Sequence, residues 1–134
     1  MASRISAYVD TSAFIAALDR SDSYHRIFAR LFSVPPPLIT SGLVAAECHG
    51  WFLRRYDRQR AVQFLNFLEQ LSNLTVIGFG ASELSETTVV LKKFADQNLT
   101  LADAHGLVVM KQRSIGSCWS TDRHLGLTGV ALVV

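Results

Sequence analysis

The chain has 134 residues, of which 49% are hydrophobic and 18% charged, a balance that predicts one compact domain over residues 1–134 and argues against disorder. No stretch reaches the roughly 18 consecutive apolar residues of a membrane helix, and the apolar part of the N-terminus is too short for a secretory signal. Cys48 and Cys118 lack a metal-binding spacing, so we expect a cytoplasmic protein with reduced, packed thiols and no membrane partner.

The first half of the chain alternates short apolar runs with helical patterns. We expect a strand that ends at Asp10, with Thr11 or Ser12 capping the helix that follows it. The remaining elements of this half are a helix over residues 13–19, a helix capped by residues 21–23 and ended by the prolines 35–37, a strand over 38–40, and helices over 43–56 (capped by Ser41) and 59–71.

The second half continues the same alternation. It contains a predicted strand over 74–77, a helix over 81–95, a helix from a cap at Thr100 to about residue 113, and strands over 117–121 and 130–134. Strands that alternate with helices in this way are typical of a parallel sheet. We therefore predict an α/β domain with a central, mostly parallel sheet of four to five strands and helices on both faces.

Two acidic residues come directly after predicted strands. Asp10 follows the first strand, and Asp122 follows the strand that contains Cys118 to Thr121. The carboxyl ends of strands in open α/β sheets are where ligands bind. Aspartate is also common in turns, so each residue taken alone has an ordinary structural interpretation.

Two further acidic residues lie on predicted helices. Glu47 shares a helix face with Val44 and Trp51, where a carboxylate is costly to bury, although it could instead reach water or pair with a neighbouring arginine. Asp103 stands three positions after Thr100, which suits both a capping box and a place in a site. His105 and Gly106, on the same apolar helix, are expected to serve close packing.

If the four acids converge at one sheet edge, they repel one another and raise their own pKa values unless a divalent cation neutralises them. A donor set of oxygen atoms favours Mg²⁺ or Mn²⁺ over zinc. The net charge of +2 is too small to indicate a nucleic-acid partner. A basic cluster is nevertheless present, and it forms either a solvated helix corner or a phosphate-facing patch: Arg54, Arg55, Arg58 and Arg60.

The four acidic positions, in their order and spacing, resemble the motifs of the PIN-domain family and specifically its VapC-type ribonuclease toxins. The matching segments are Asp10-Thr11-Ser12, Ser41 to Glu47, Leu99 to Ala104, and Ser120 to Leu125. Ser120 stands where the family usually has Thr, and Leu125 where it usually has an aromatic residue. The resemblance extends from Tyr8 to the C-terminus.

The resemblance implies a metal-dependent endoribonuclease that is the toxin of a toxin–antitoxin pair, with RNA as its substrate, a VapB-type antitoxin as its partner and a homodimeric assembly. Asp10, Asp103 and Asp122 would bind Mg²⁺ or Mn²⁺, and Glu47 would bind a second ion or position water. Ser12 and Ser120 would support the carboxylates, and the four arginines of the basic cluster would contact the RNA backbone. Aromatic residues of the early helices could form the antitoxin surface, although more of them are expected in the core: Tyr24, Phe28, Phe32, Trp51 and Phe52.

Other interpretations of an aspartate at a strand end fit less well. A dehalogenase-type phosphatase needs a second aspartate at the position of Ser12, and a receiver domain needs an acidic pair before Asp10. The remaining alternative is a catalytically silent PIN-fold module that binds RNA or protein without cleaving it.

Overall fold

The computed structural model describes residues 4–133 and contains a five-stranded, wholly parallel sheet of order β3-β2-β1-β4-β5. The strands are β1 (Ala7–Val9), β2 (Leu38–Ser41), β3 (Leu74–Ile77), β4 (Ser117–Trp119) and β5 (Ala131–Val133). The helices are α1 (Thr11–Leu18), α2 (His25–Ser33), α3 (Gly42–Arg55), α4 (Arg58–Gln70), α5 (Ala81–Lys93) and α6 (Leu101–Gln112), with a 3-10 helix at Arg123–Gly126. The predicted fold class is confirmed.

The central strand β1 is the point where the order of the sheet reverses. Its neighbours are β2 on one side and β4 on the other, and all three of its residues are buried. Crossover helices that start in opposite directions from one strand cover the two faces of the sheet and leave a crevice at its carboxyl edge. Asp10 follows β1 directly and therefore lies at this crevice.

Two of the predicted helix caps are wrong. Asp10 itself is the N-cap residue of α1, without a side-chain capping bond, and Thr11 and Ser12 already lie inside the helix. The Ser12 hydroxyl instead donates to the carboxylate of Asp10. The cap of α2 is Tyr24 rather than residues 21–23. The caps at Ser41 and Thr100 are confirmed, since each hydroxyl accepts a backbone N–H of its helix.

The core is rich in aromatic rings. Phe14 of α1 stacks on Phe32 at 5.4 Å between ring centroids and contacts Phe64 edge-on at 5.9 Å. Phe28 and Phe52 are also buried, so three of the five aromatic residues considered for a partner surface belong to the core. Such rings bury more apolar area than any other side chains and hold α1 to α4 against the sheet.

Gly106 of α6 permits a close approach between that helix and the central strand. A Cβ atom added there would lie 2.9 Å from Cε1 of Tyr8 and 3.0 Å from Cδ1 of Leu125. The close-packing role expected for this glycine is confirmed. His105 is also buried, and its Nδ1 lies 2.6 Å from the Ser41 hydroxyl, which ties α6 to the end of β2.

Two other expectations can be compared with the structure. Cys48 and Cys118 are both buried and unpaired with each other, as predicted. Within residues 4–133, every helix is too short or too polar to cross a membrane. The predicted end of the last strand at Val134 lies outside the described residues.

Candidate active site

Asp10 lies at the centre of the site and is 3% exposed. Its Oδ2 accepts hydrogen bonds from the hydroxyls of Ser120, at 2.9 Å, and Ser12, at 3.1 Å. The two serine hydroxyls are themselves 3.2 Å apart. Asp10 is therefore held from two elements, the first turn of α1 and the end of β4, with its orientation defined by hydrogen bonds.

Asp103 enters the same crevice from the first turn of α6 and is 7% exposed. Its Oδ2 accepts the backbone N–H of Thr100 at 3.0 Å, and its own N–H donates to the Thr100 hydroxyl at 3.1 Å. The predicted capping box is present. The box engages Oδ2 of the carboxylate, and the helix dipole favours its negative charge in this first turn.

Asp122 and His124 complete the acidic edge. Asp122 follows β4, and its backbone N–H donates to the Ser120 hydroxyl at 2.9 Å. Its Oδ1 accepts the backbone N–H of His124 at 3.0 Å and lies 3.1 Å from His124 Nδ1. One ligand atom each from Asp103, Asp122 and His124 lies within 4.8 Å of the others.

His124 was not among the residues predicted for the site. The sequence argument required only oxygen ligands and gave no weight to the histidine two positions after Asp122. The available signal was its place in the sequence, because a histidine two positions after Asp122 is close enough for its Nδ1 to lie 3.1 Å from that carboxylate. Imidazole is a ligand for several divalent transition metals.

Glu47 faces the cluster from α3 but remains exposed to solvent. Partial burial and then the negative charges of Asp10 and Asp103 raise the pKa of Glu47. Across residues 4–133 the ion pair found within 4.0 Å is that of Asp122 with His124, so the pairing of Glu47 with an arginine is not seen. The four predicted acids thus share one electrostatic environment, three of them set in or at the crevice and Glu47 at its rim.

The pKa of Asp10 depends on its burial, on its hydrogen bonds and on the nearby charge of Asp103. Burial raises the pKa of Asp10, and the charge of Asp103 raises it further, while hydrogen bonds from Ser120 and Ser12 act in the opposite direction. The net effect is a pKa above the usual value. A buried carboxylate next to a second one is unfavourable in its charged form until a cation is added.

The basic cluster lies where α3 meets α4. Arg54, Arg55 and Arg58 are exposed. Arg60 is engaged within the protein, because its guanidinium carbon lies 4.5 Å from the centroid of the Tyr56 ring and its Nη2 donates to the carbonyl oxygen of Leu18 at 3.4 Å. Three arginines of the cluster therefore lie at a solvent-exposed corner, whereas Arg60 has a structural role.

Comparison with known proteins agrees with this architecture. The PIN domain family model matches residues 7–129. The chain therefore belongs to the PIN domain family. No curated protein sequence matches the chain.

The solved structures that share the fold include toxins of toxin–antitoxin pairs. A crystal structure of the Mycobacterium tuberculosis toxin VapC20, described as cleaving the sarcin-ricin loop, superposes with a TM-score of 0.85 at 23% identity, covering 94% of this chain and 97% of that one. A toxin–antitoxin complex from Klebsiella pneumoniae has a TM-score of 0.62 at 16% identity over 96% and 97% of the two chains. VapBC2 from Rickettsia felis, bound to a DNA fragment from its promoter, has a TM-score of 0.63 at 13% identity over 96% and 98%.

Proposed function

We propose that this protein is a metal-dependent endoribonuclease, the toxin of a VapBC-type toxin–antitoxin pair, that hydrolyses RNA phosphodiester bonds with Mg²⁺ or Mn²⁺. The observation that carries the proposal is a cluster at the carboxyl edge of the sheet. Ligand atoms of Asp103, Asp122 and His124 lie within 4.8 Å of one another, and burial and the charge of Asp103 raise the pKa of the neighbouring Asp10 and of Glu47 at the rim. The family assignment and the toxin structures with the same fold support it.

The donor set fits a divalent cation. Asp10 and Asp103 are almost fully buried, and no arginine or lysine of residues 4–133 forms an ion pair with either of them. The Thr11 hydroxyl, adjacent to Asp10, is buried without a hydrogen-bond partner within the described part of the chain. Uncompensated buried carboxylates are costly, and a cation with oxygen ligands removes that cost.

In this proposal Asp10, Asp103 and Asp122 hold the ion, with His124 as a further candidate ligand. Ser12 and Ser120 orient Asp10, as hydrogen-bonded residues behind a metal ligand do. A bound cation supplies an activated water and neutralises the negative charge that develops on the phosphate. Glu47, at the rim, would hold a second ion or position the attacking water.

The assignment as a VapBC-type toxin also implies a substrate and protein partners. RNA is the substrate, and the exposed arginines Arg54, Arg55 and Arg58 are proposed to contact its backbone, with a smaller part for Arg60. A cognate VapB-type antitoxin would inhibit the enzyme in the cytoplasm, and a homodimer is the expected assembly. Copurification of the chain with the product of a neighbouring reading frame and light scattering of the purified protein test these two proposals.

The central experiment is cleavage of an RNA that contains the sarcin-ricin loop, compared with an RNA of the same length without it. We expect cleavage with Mg²⁺ or Mn²⁺ and none with EDTA. Asp10→Asn and Asp103→Asn should lower the rate by at least 100-fold, on the order of the loss of a catalytic metal ligand. Asp96→Asn, an exposed carboxylate between α5 and α6, is the matched control and should cleave normally.

Full cleavage by Asp10→Asn and Asp103→Asn would contradict the nuclease assignment. Expression in a bacterial host tests the toxin role separately. We expect the wild-type chain to arrest growth and the Asp10→Asn chain to be harmless. If both chains were harmless while the purified wild type cleaved RNA, the nuclease assignment would stand and the toxin role would fall.

A further inference from the structure

A surface cavity of about 490 Å³ lies beside the acidic cluster, and we call it the aromatic cavity. Its walls include Tyr24 from the start of α2, Trp51 and Arg55 from α3, and Thr121 from the loop after β4. The volume lies within the range of protein cavities that hold small ligands. The proposed metal chemistry uses none of these four side chains.

The aromatic cavity is joined to the acidic cluster by two structural connections. The backbone N–H of Thr121 donates to the Ser12 hydroxyl at 3.0 Å, and that hydroxyl donates to Asp10. Along α3, Glu47, Trp51 and Arg55 are spaced four residues apart, so they follow one another on one face of the helix. The cavity is therefore within reach of a nucleic-acid strand that has a phosphate at the carboxylates.

The two aromatic rings are available to a ligand. Tyr24 is 41% exposed. Trp51 is partly exposed, and its ring is held in place by edge contacts with Phe52 at 5.0 Å and Tyr56 at 6.1 Å between centroids. Aromatic rings that are fixed on one side and open on the other are the surfaces on which proteins stack unpaired bases.

The charges of the cavity favour a base over a phosphate group. Asp19 and Asp22 also line it, and together they outweigh the single guanidinium of Arg55. Burial raises the pKa of Asp19, but hydrogen bonds from Ser21 and Tyr56 outweigh it and leave the pKa lowered, so this carboxylate is charged at neutral pH. Carboxylates repel phosphate but accept hydrogen bonds from the N–H groups of bases.

We propose that the aromatic cavity holds one unpaired base of the RNA strand, stacked on Trp51 and Tyr24, while the adjoining phosphate lies at the acidic cluster. Arg55, at the last position of α3, contacts the backbone that flanks this base. The inference rests on the proposed function for its substrate class. It adds which side chains hold the unpaired base beside the bond that is cut, and it predicts that a base paired in a continuous duplex does not reach them.

Binding can be tested without catalysis. In an Asp10→Asn, Trp119→Phe double variant, Trp51 is the one remaining tryptophan, so its emission reports on the cavity directly. The probes are a mixed-sequence single-stranded oligoribonucleotide, the same strand in a duplex, and inorganic polyphosphate, each with EDTA present. We expect the single strand to quench Trp51 emission, and the duplex and polyphosphate to bind without quenching it.

Substitutions measure the contribution of the stacking. Against the single strand, Trp51→Ala should weaken affinity by about 5- to 150-fold, the range for loss of one base–aromatic stack. Trp51→Phe should restore most of it, and Tyr24→Leu should give a smaller loss. Arg113→Ala, an exposed arginine at the far end of α6, is the control and should bind as the parent does. Thermal unfolding of each variant separates loss of the stack from loss of the fold.

Three results would overturn the inference. They are a bound single strand that leaves Trp51 emission unchanged, Trp51→Ala binding as tightly as the parent, and equal quenching by polyphosphate, which would make the cavity an anion site. Metal-dependent cleavage by the wild-type chain is measured in parallel. RNA cleavage without quenching of Trp51 emission would contradict only the proposed base site. Quenching of Trp51 emission without RNA cleavage would contradict only the nuclease assignment.

Discussion

Ser120 donates a hydrogen bond to Oδ2 of Asp10 over 2.9 Å, although 110 positions separate the two residues in the chain. The contact is a consequence of the strand register, because Val9 of β1 pairs with Trp119 of β4 and the next residue of each strand is Asp10 and Ser120. The same hydroxyl accepts the N–H of Asp122. One serine thus holds two of the proposed metal ligands in their relative positions.

Removing this hydroxyl should weaken the site without removing a carboxylate. For Ser120→Ala we expect metal affinity or cleavage rate to fall by about 10- to 100-fold. The pKa of Asp10 should rise further, because a hydrogen bond that lowers it is lost. The acid limb of the pH–rate profile should therefore move to higher pH. Ser33→Ala, whose hydroxyl binds a helix carbonyl at the surface, is the control. An unchanged pH profile in Ser120→Ala would contradict this role.

The raised pKa of Asp10 predicts a stability cost in the metal-free protein. A carboxyl with a folded-state pKa above its unfolded value of about 3.9 contributes stability at low pH that is lost as the pH rises through the folded-state pKa. Asparagine has no ionisable carboxyl, so Asp10→Asn does not lose stability in this way. At neutral pH with EDTA, this variant should therefore have a higher free energy of unfolding than the wild type.

The difference between the two proteins should shrink as the pH falls through the raised pKa of Asp10, because the wild-type carboxyl then becomes protonated. Added Mg²⁺ or Mn²⁺ should stabilise the wild type and not the variant, because binding to the folded state alone raises its stability. Denaturant unfolding at several pH values measures both effects. A wild type more stable than Asp10→Asn at pH 7 in EDTA would contradict the argument.

His124 predicts a change in metal preference. An imidazole nitrogen is a better ligand for Mn²⁺ than for Mg²⁺, which prefers oxygen. If His124 joins Asp103 and Asp122 at the ion, His124→Gln should lower affinity for Mn²⁺ more than for Mg²⁺, as measured by calorimetric titration of each ion. His49→Gln, on α3, serves as the control histidine. An unchanged ratio of the two affinities would remove His124 from the ligand set.

Gly106 connects packing with the position of Asp103. Gly106→Ala places a methyl group 2.9 Å from the Tyr8 ring, and overpacking of this kind costs about 1–3 kcal/mol. Because Asp103 lies one turn earlier on α6, the same shift should also lower metal affinity. Gly116→Ala has no atom within 4 Å of the added Cβ and should be close to neutral. Thermal unfolding and metal titration of the two variants check this, and equal stability would argue against the tight contact.

Several features of the molecule follow from local sequence. The capping box of Thr100 with Asp103 and the cap at Ser41 were predicted because they depend on residues two to three positions apart. The Ser12 hydroxyl could not be assigned in this way. Its partners include Ser120 and the N–H of Thr121, which only the pairing of β1 with β4 brings within reach.

The sequence by itself determined the alternation of strands and helices, the family resemblance and the four acids, since hydrophobic periodicity and motif spacing are properties of the chain alone. The tertiary structure decided that Asp10 is buried, that Glu47 stays at the rim, that His124 lies beside Asp103, and that Trp51 and Tyr24 line one cavity. Each of these depends on contacts between distant segments. Strand register and helix packing set such contacts, and neither can be read from a local pattern.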